Sequence, residues 1–107
     1  MPAEYAHPTL VVNIKREFFA EILAIPRRKF VEWRDASPYW LGRLAKVGPA
    51  PFHLRLINGM RHPIPAATVV VTKVTRGALR GKLQLKLHLG RVLEVVHWDR
   101  KAEEPVG

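Results

Sequence analysis

The stretch KLQLKLHL, residues 82–89, alternates without interruption between polar and apolar side chains. The apolar positions all carry leucine: Leu83, Leu85, Leu87 and Leu89. Successive side chains of a β-strand point to opposite faces of its sheet, so a period of two is typical of a half-buried strand and not of a helix. We therefore predict a strand here, with the leucines facing the core and Gln84, Lys86 and His88 facing outward.

Other segments also have strand character. Residues 52–57 alternate in the same way, and residues 66–74 form a continuous β-branched run, which is typical of a strand covered on both faces at its centre. Apolar or β-branched runs of similar length recur along the chain. They lie at residues 9–15, 28–34 and 91–98.

Two segments have helical signals. In residues 16–25, Phe18, Ile22 and Ile25 recur at helical spacing, and Pro26 prevents the helix from continuing. The segment SPYWLGRL opens with Ser37, a residue type that caps helices, followed by a proline in the favoured first position. We predict a helix over residues 16–25 and one or two helical turns after Ser37.

These elements predict the fold class. A chain of 107 residues forms one domain, here spanning residues 1–107, with a core at about residues 9–99 and flexible tails at residues 1–8 and 100–107. About six short strands with one or two helices indicate a mainly β (α+β) fold. Because closing a sheet removes its exposed edges, we predict a small, mostly antiparallel β-barrel.

Positive charge is concentrated in the middle of the chain. The sequence has 18 Lys and Arg against 9 Asp and Glu, and no acidic residue occurs between Asp35 and Glu94. A surface of one sign attracts polyanions through counterion release and long-range steering. This favours a nucleic-acid partner over a surface that serves solubility alone.

Several classes of protein are disfavoured by what the sequence lacks. Without cysteine there is no disulfide, thiolate nucleophile or thiolate metal site, which fits a reducing compartment. No apolar run is long enough to span a bilayer, and the first residues do not resemble a secretion signal. We expect a cytoplasmic protein with no membrane partner.

The charged stretch at residues 27–34 contains the pattern K-x-x-E-x-R at Lys29, Glu32 and Arg34. In its context of strand, helix and strand, this pattern resembles the signature of the ASCH domain, a relative of the PUA-like barrels. The segments LVVNIKREFFAEIL, SPYWLGRL and KLHLGRVLEVVHW are also similar to small bacterial and phage members. The resemblance covers roughly residues 10–98, and it departs from the family where Arg27 replaces the usual glycine.

The resemblance implies an RNA-binding, PUA-like barrel. It also allows a hydrolase, because some ASCH-type proteins act as amidohydrolases on acetylated cytidine and others as ribonucleases. In that version Lys29 would be a nucleophile or base and Glu32 would carry the proton. A third alternative is a protein-interaction module in transcription regulation, whose basic surface would bind an acidic partner.

Strand geometry allows the three charged residues to form one site. Glu32 and Arg34 project from the same face, and Lys29 reaches that face only if it lies in the turn before the strand. Arg34 could then hold the carboxylate in a bidentate pair and leave the ammonium of Lys29 free to bind an anion. The alternative is an exposed cluster of ion pairs with little energetic value.

Large aromatic side chains near this motif offer stacking surfaces for unpaired bases. Tyr39 and Trp40 are candidate ligand-binding residues, with core packing as the equal alternative. Trp33 is predicted to face the core, because its strand parity is opposite to that of Glu32. Candidate ligand-binding residues are thus Lys29, Glu32, Arg34, Tyr39 and Trp40, and candidate phosphate contacts are Arg43, Arg61, Arg76, Arg80, Lys82 and Lys86.

Other kinds of site lack sequence support. The five histidines show no spacing typical of metal ligands, and no P-loop, dinucleotide fingerprint or G-x-S-x-G motif occurs. We therefore predict neither a metal nor a cofactor. The predicted partner is RNA or another single-stranded nucleic acid, with a modified nucleoside as a further possible ligand.

Overall fold

The structure, a computed structural model, describes residues 8–107, in which strands predominate over two short helices. The helices are α1 (Arg16–Leu23) and α2 (Pro38–Val47). The strands are β1 (Thr9–Asn13), β2 (Val31–Asp35), β3 (Phe52–Ile57), β4 (Ala66–Leu79), β5 (Lys82–Val96), β6 (Trp98–Asp99) and β7 (Glu104–Pro105). The predicted N-terminal tail, residues 1–8, lies outside the described residues except for Pro8.

Five strands form one mixed sheet in the order β1-β3-β4-β5-β2. The strands β1 and β3 are parallel, and the remaining neighbours are antiparallel. The predicted mainly β (α+β) class is confirmed. Within residues 8–107 the sheet is not closed into the predicted barrel, and β1 and β2 are its two edges.

Arginine side chains cover the β1 edge of this sheet. The Nη2 of Arg34 donates to the carbonyl of Asn13 at 3.2 Å, and the Nη2 of Arg43 donates to the carbonyl of Val11 at 2.6 Å. Arg34 belongs to β2 and Arg43 to α2. Backbone groups that an edge strand would leave unpaired are therefore satisfied by side chains from β2 and α2.

The apolar core combines alternating positions of the strands with one face of α1. In β3 every second residue is buried, as its sequence alternation predicts. Phe19 packs edge-on against Trp98, with 5.0 Å between the ring centroids. The core also contains Leu10, Val12, Ile22, Leu23, Phe52, Leu54, Leu56, Val69, Val71, Leu87 and Leu89.

The buried face of α1 differs from the predicted one. Phe19, Ile22 and Leu23 are buried, whereas Phe18 lies on the surface and Ile25, which follows the helix, is 69% exposed. Both apolar sets have helical spacing, so periodicity alone could not choose between them. The helix ends at Leu23, two residues earlier than predicted, because Ala24 already has extended backbone angles.

The hairpin formed by β4 and β5 changes its buried face partway along. Val69 and Val71 are buried, but Thr72 is an extra residue between the pairs Val71–Leu89 and Lys73–His88. Beyond this bulge, odd-numbered residues of β4 lie on the face opposite the core. A β-carbon at Gly90 would lie only 2.8 Å from Thr72 Cγ2, so glycine permits the close packing beside the bulge.

The bulges also allow the two predicted strands at residues 82–89 and 91–98 to join as the single strand β5. Its leucine alternation is only partly reflected in burial. Leu85, Leu87 and Leu89 are buried as predicted, but Leu83 is 51% exposed and Gln84 is buried. Near its turn the hairpin extends beyond the core, and the amide of Gln84 is instead held by the carboxylate of Asp35 at 2.8 Å.

The last residues, predicted to be a flexible tail, form the short β6–β7 hairpin. This hairpin is attached to the end of α1, because Arg100 Nε donates to the carbonyl of Leu23 at 2.8 Å. Glu103 also pairs with Arg28. Neither helix in the described part of the chain has the length and apolar character needed to cross a bilayer.

Candidate functional site

A cleft of about 640 Å³ lies where the junction of β1 and α1 meets β2. The three charged residues of the K-x-x-E-x-R pattern all line it, together with Phe18 and Trp33. The other lining residues are Asn13, Ile14, Lys15, Asn58, Gly59 and Leu79. The structure therefore brings the motif together in one concave site.

Glu32 is the central group of the cleft. It is only 3% exposed, and its carboxylate lies 2.9 Å from Arg34 Nη2 and 3.6 Å from Lys29 Nζ. A buried carboxylate is stable only with such partners, because burial removes its hydration. One negative charge against two positive charges leaves an excess of one positive charge in this cluster.

Lys29 occupies the position that strand geometry required for it. It precedes β2, and its backbone N–H donates to the carbonyl of Glu21 at 3.2 Å, so the turn is fixed to the last part of α1. The ammonium lies 4.9 Å from the ring centroid of Phe18. Lys29 is thus held between an aromatic ring and a carboxylate, with its stem largely buried.

Arg34 connects the cleft to the β1 edge and to α2. Besides Glu32 and the carbonyl of Asn13, its guanidinium contacts the ring of Trp40 at 5.1 Å from the centroid. Its Nε is buried and has no hydrogen-bond partner among residues 8–107. Its contact with the Glu32 carboxylate is made through Nη2, and Nε takes no part in it.

Asn58 supports the floor of the cleft and was not predicted from the sequence. Its Nδ2 donates to the carbonyl of Ile14 at 2.9 Å, and its Oδ1 accepts from Arg16 Nε at 2.8 Å. Both side-chain groups of this buried amide are satisfied, which fixes the start of α1 against the end of β3. In the sequence this residue stands in an Asn-Gly pair, which is typical of a turn, and Gly59 has a φ of 93°.

Arg27, which stands where the ASCH pattern has glycine, is not among the described residues that line the cleft. Its Nε donates to the carbonyl of Ile22 at 3.0 Å and its Nη1 to that of Leu89 at 3.2 Å. Burial, and secondarily the charge of Arg100, lower the pKa of Arg27. The side chain therefore fixes α1 to β5 and leaves the cleft open.

The predicted aromatic ligands lie beside the cleft rather than in it. Tyr39 is 64% exposed and contacts Trp40 edge-on, and the guanidinium of Arg43 lies 5.1 Å from the Trp40 ring centroid. We call Arg34, Tyr39, Trp40 and Arg43 the α2 cluster. In it, Arg34 lines the cleft, Tyr39 is exposed beside the cleft, and the half-buried Trp40 also packs against the core.

Trp33 does not belong to the core, contrary to the prediction. It is half-buried and lies beside Lys86, whose ammonium is 5.0 Å from the ring centroid. The prediction assumed that the face opposite Glu32 is the core face. In the structure Glu32 is on the buried face, so its neighbour Trp33 projects to the other side of the sheet.

The candidate phosphate contacts are spread over several elements. Arg76, Arg80 and Lys82 are exposed near the turn of the β4–β5 hairpin, whereas Arg43 belongs to the α2 cluster and Lys86 contacts Trp33. Arg61 lines a second cleft of about 420 Å³, which shares Asn58 and Gly59 with the first. The structure thus brings Lys29, Glu32 and Arg34 together, and the other candidate cations are distributed over α2, the β4–β5 hairpin and the second cleft.

Within residues 8–107, no group of three His, Asp or Glu side chains could hold a metal ion. Comparison of the chain with protein-family models, with curated proteins and with solved structures found no match in any of the three.

Proposed function

We propose that this chain is an ASCH-like domain that binds single-stranded RNA. The observation that carries the proposal is the convergence of Lys29, Glu32 and Arg34 in one cleft with an excess of positive charge. Its volume, about 640 Å³, is in the range of small-molecule sites and suits one nucleotide. The cations donate to phosphate or base oxygens, and the carboxylate accepts from an amino group.

Features around the cleft support the binding of an RNA strand that extends beyond it. The α2 cluster adds rings on which further bases stack. The β4–β5 hairpin contributes Leu79 to the lining of the cleft, and its exposed cations are close to Leu79 in sequence. Unpaired bases are bound by this combination of aromatic rings and cations.

The test compares Lys29→Gln with Lys46→Gln. Lys46 is exposed in the last turn of α2, so the two substitutions remove the same charge, but only Lys29 is in the cleft. We expect micromolar binding of an unstructured RNA oligonucleotide, and Lys29→Gln to weaken it about 10-fold, as one lost charged hydrogen bond would. Fluorescence anisotropy at two salt concentrations measures both the affinity and its salt dependence.

The salt dependence provides a second criterion. The slope of log affinity against log salt should fall by about 0.7 for each phosphate contact that is lost. Lys46→Gln should change the affinity less than 2-fold. If the wild-type protein fails to bind RNA at low salt, or if the two variants bind equally, the cleft is not a nucleic-acid site.

A hydrolase is the second candidate, favoured by the separation of 3.6 Å between Lys29 Nζ and the Glu32 carboxylate inside the cleft. In the amidohydrolase version, water adds to the acetyl carbonyl of 4-acetylcytidine and the C–N bond breaks, giving acetate and cytidine. Glu32 would transfer a proton from the water to the leaving amine, and Lys29 would stabilise the oxyanion.

For this candidate we expect turnover of 4-acetylcytidine or of unstructured RNA. Chromatography of the products measures the rate. Lys29→Ala and Glu32→Gln should each lower the rate at least 100-fold. Lys46→Ala serves as the control and should retain the wild-type rate. Turnover that survives Lys29→Ala would refute the catalytic role of Lys29. RNA binding without turnover would refute the hydrolase and support RNA binding as the function.

A further inference from the structure

The side of the sheet opposite the core carries an open surface of cationic and aromatic residues around Trp33. Residues paired across antiparallel strands project to the same face, as do residues two apart on one strand. Two adjacent rows therefore lie together on β2, β5 and β4. We call them the outer face: Val31, His88 and Lys73 in one row, and Trp33, Lys86 and Thr75 in the next.

Trp33 is half-buried and lies on the β2 side of this outer face, at the edge of the sheet. A β-carbon added to Gly77 would lie 3.7 Å from the ring and 3.1 Å from Lys86 Cδ. Gly77 therefore allows the indole and the lysine stem to lie close to the backbone of β4. The ammonium of Lys86 lies 5.0 Å from the ring centroid, so a cation accompanies the ring.

Positive charge is concentrated around this ring. The pKa of His88 is lowered by partial burial and by the charges of Lys73 and Lys86, which indicates that the lysines already repel a further cation. His88 Nε2 is 2.7 Å from the Thr75 hydroxyl, which fixes the imidazole on this face. The adjacent row contains one acid, Asp35, which accepts a hydrogen bond from Gln84.

We propose that the outer face is a second binding surface for single-stranded nucleic acid, with a base stacked on Trp33 and phosphates held by Lys86 and Lys73. The inference rests on the proposed function and extends it to a surface outside the cleft. Charge complementarity identifies the partner, since an unpaired nucleic-acid strand supplies both flat bases and negative charges.

One RNA strand can contact both the cleft and the outer face, because the two surfaces meet at the edge strand β2. Trp33 is on the outer face and also lines the cleft, and its neighbours Glu32 and Arg34 belong to the cleft. On the other side of β2 no strand pairs with it within residues 8–107. Nucleotides bound in the cleft can therefore continue across this edge onto Trp33.

The experiment measures the affinity of a uridine-rich RNA oligonucleotide for Trp33→Leu and Trp33→Phe. One stacked base is worth about 1–3 kcal/mol, so Trp33→Leu should weaken binding by about 5- to 150-fold. Trp33→Phe retains an aromatic ring and should recover much of this loss. Lys86→Gln should weaken binding and reduce its salt dependence, in contrast to Lys46→Gln.

A second measurement uses the unaltered protein, which avoids any effect of substitution on folding. An oligonucleotide that carries 5-bromouridine is crosslinked by light, and the modified peptides are identified by mass spectrometry. The inference requires adducts on Trp33. Unlabelled RNA at less than about 10-fold excess should suppress these adducts, and polyglutamate of equal total charge should suppress them far less.

The outcomes separate this inference from the proposed function. If the protein binds RNA but Trp33→Leu binds as tightly as wild type, or if adducts occur only on Tyr39 and Trp40, the outer face is not used. If polyglutamate competes as well as RNA, the surface is merely cationic and the stacking site is refuted. If the wild-type protein binds no RNA, both proposals fail together.

Discussion

Glu32→Ala is expected to lower the free energy of unfolding by about 2–4 kcal/mol, because it leaves two cations facing each other without their shared carboxylate. Breaking a fully buried pair costs about 3–5 kcal/mol, and Lys29 and Arg34 are partly accessible to water, which reduces the penalty. Urea denaturation followed by circular dichroism measures this change. Glu32→Gln should cost less, since its amide oxygen still accepts a hydrogen bond.

The matched control is Glu94→Ala, which removes the partner of Arg55. That carboxylate is mostly exposed, so the loss should be below about 1 kcal/mol. Equal stabilities of Glu32→Ala and Glu94→Ala would mean that the cleft cluster is solvated like a surface ion pair.

A triple substitution tests whether the cluster serves stability or function. Replacing Lys29, Glu32 and Arg34 together with Met, Leu and Met removes all the charges at once. Apolar replacement of a buried charge cluster is often neutral or stabilising, so the triple variant should be more stable than Glu32→Ala. It should also lose RNA binding, which would indicate that the charges are retained for the ligand.

The second large effect on stability is expected at Phe19, in contrast to the adjacent Phe18. Phe19→Ala should cost about 3–5 kcal/mol, because this ring is completely buried against Trp98 and its removal leaves a cavity. Phe18→Ala should cost less than about 1 kcal/mol, because Phe18 lies at the cleft surface beside Lys29. The comparison holds residue type, helix and substitution constant.

Thermal and urea unfolding of both variants measure this difference directly. Phe18→Ala should still reduce RNA affinity, since the ring lines the cleft. A larger destabilisation by Phe18→Ala than by Phe19→Ala would place the core-facing side of α1 where the sequence pattern first indicated it, on Phe18.

The motif itself could be predicted because its parts are close in sequence. Lys29, Glu32 and Arg34 lie within six positions, so strand parity and a turn before β2 were enough to bring them together. The strand β3 could be predicted equally well, because the alternation of its side chains reflects a sheet with one buried face. Local geometry decides such cases without knowledge of the rest of the fold.

Other parts depended on distant contacts that no local pattern encodes. Phe18 and Phe19 both fit an apolar helical face, and only packing against Trp98 selects Phe19. Trp33 was assigned to the core because the sequence does not reveal which face of β2 the rest of the chain covers. Asn58 joins the cleft through Ile14 and Arg16, more than 40 positions away, and nothing in its surroundings indicates these bonds.

The position of β2 at the end of the sheet also has a consequence for protein synthesis. Its one strand partner in the described chain is β5, whose paired residues, Gln84 to His88, leave the ribosome about 50 positions after Glu32. Until then a nascent chain contains Lys29, Glu32 and Arg34 only as solvated charges on an unpaired segment. Because pairing over such a separation is slow, the candidate site should be among the last parts of the domain to assemble, and shortened chains that end before β5 should lack it.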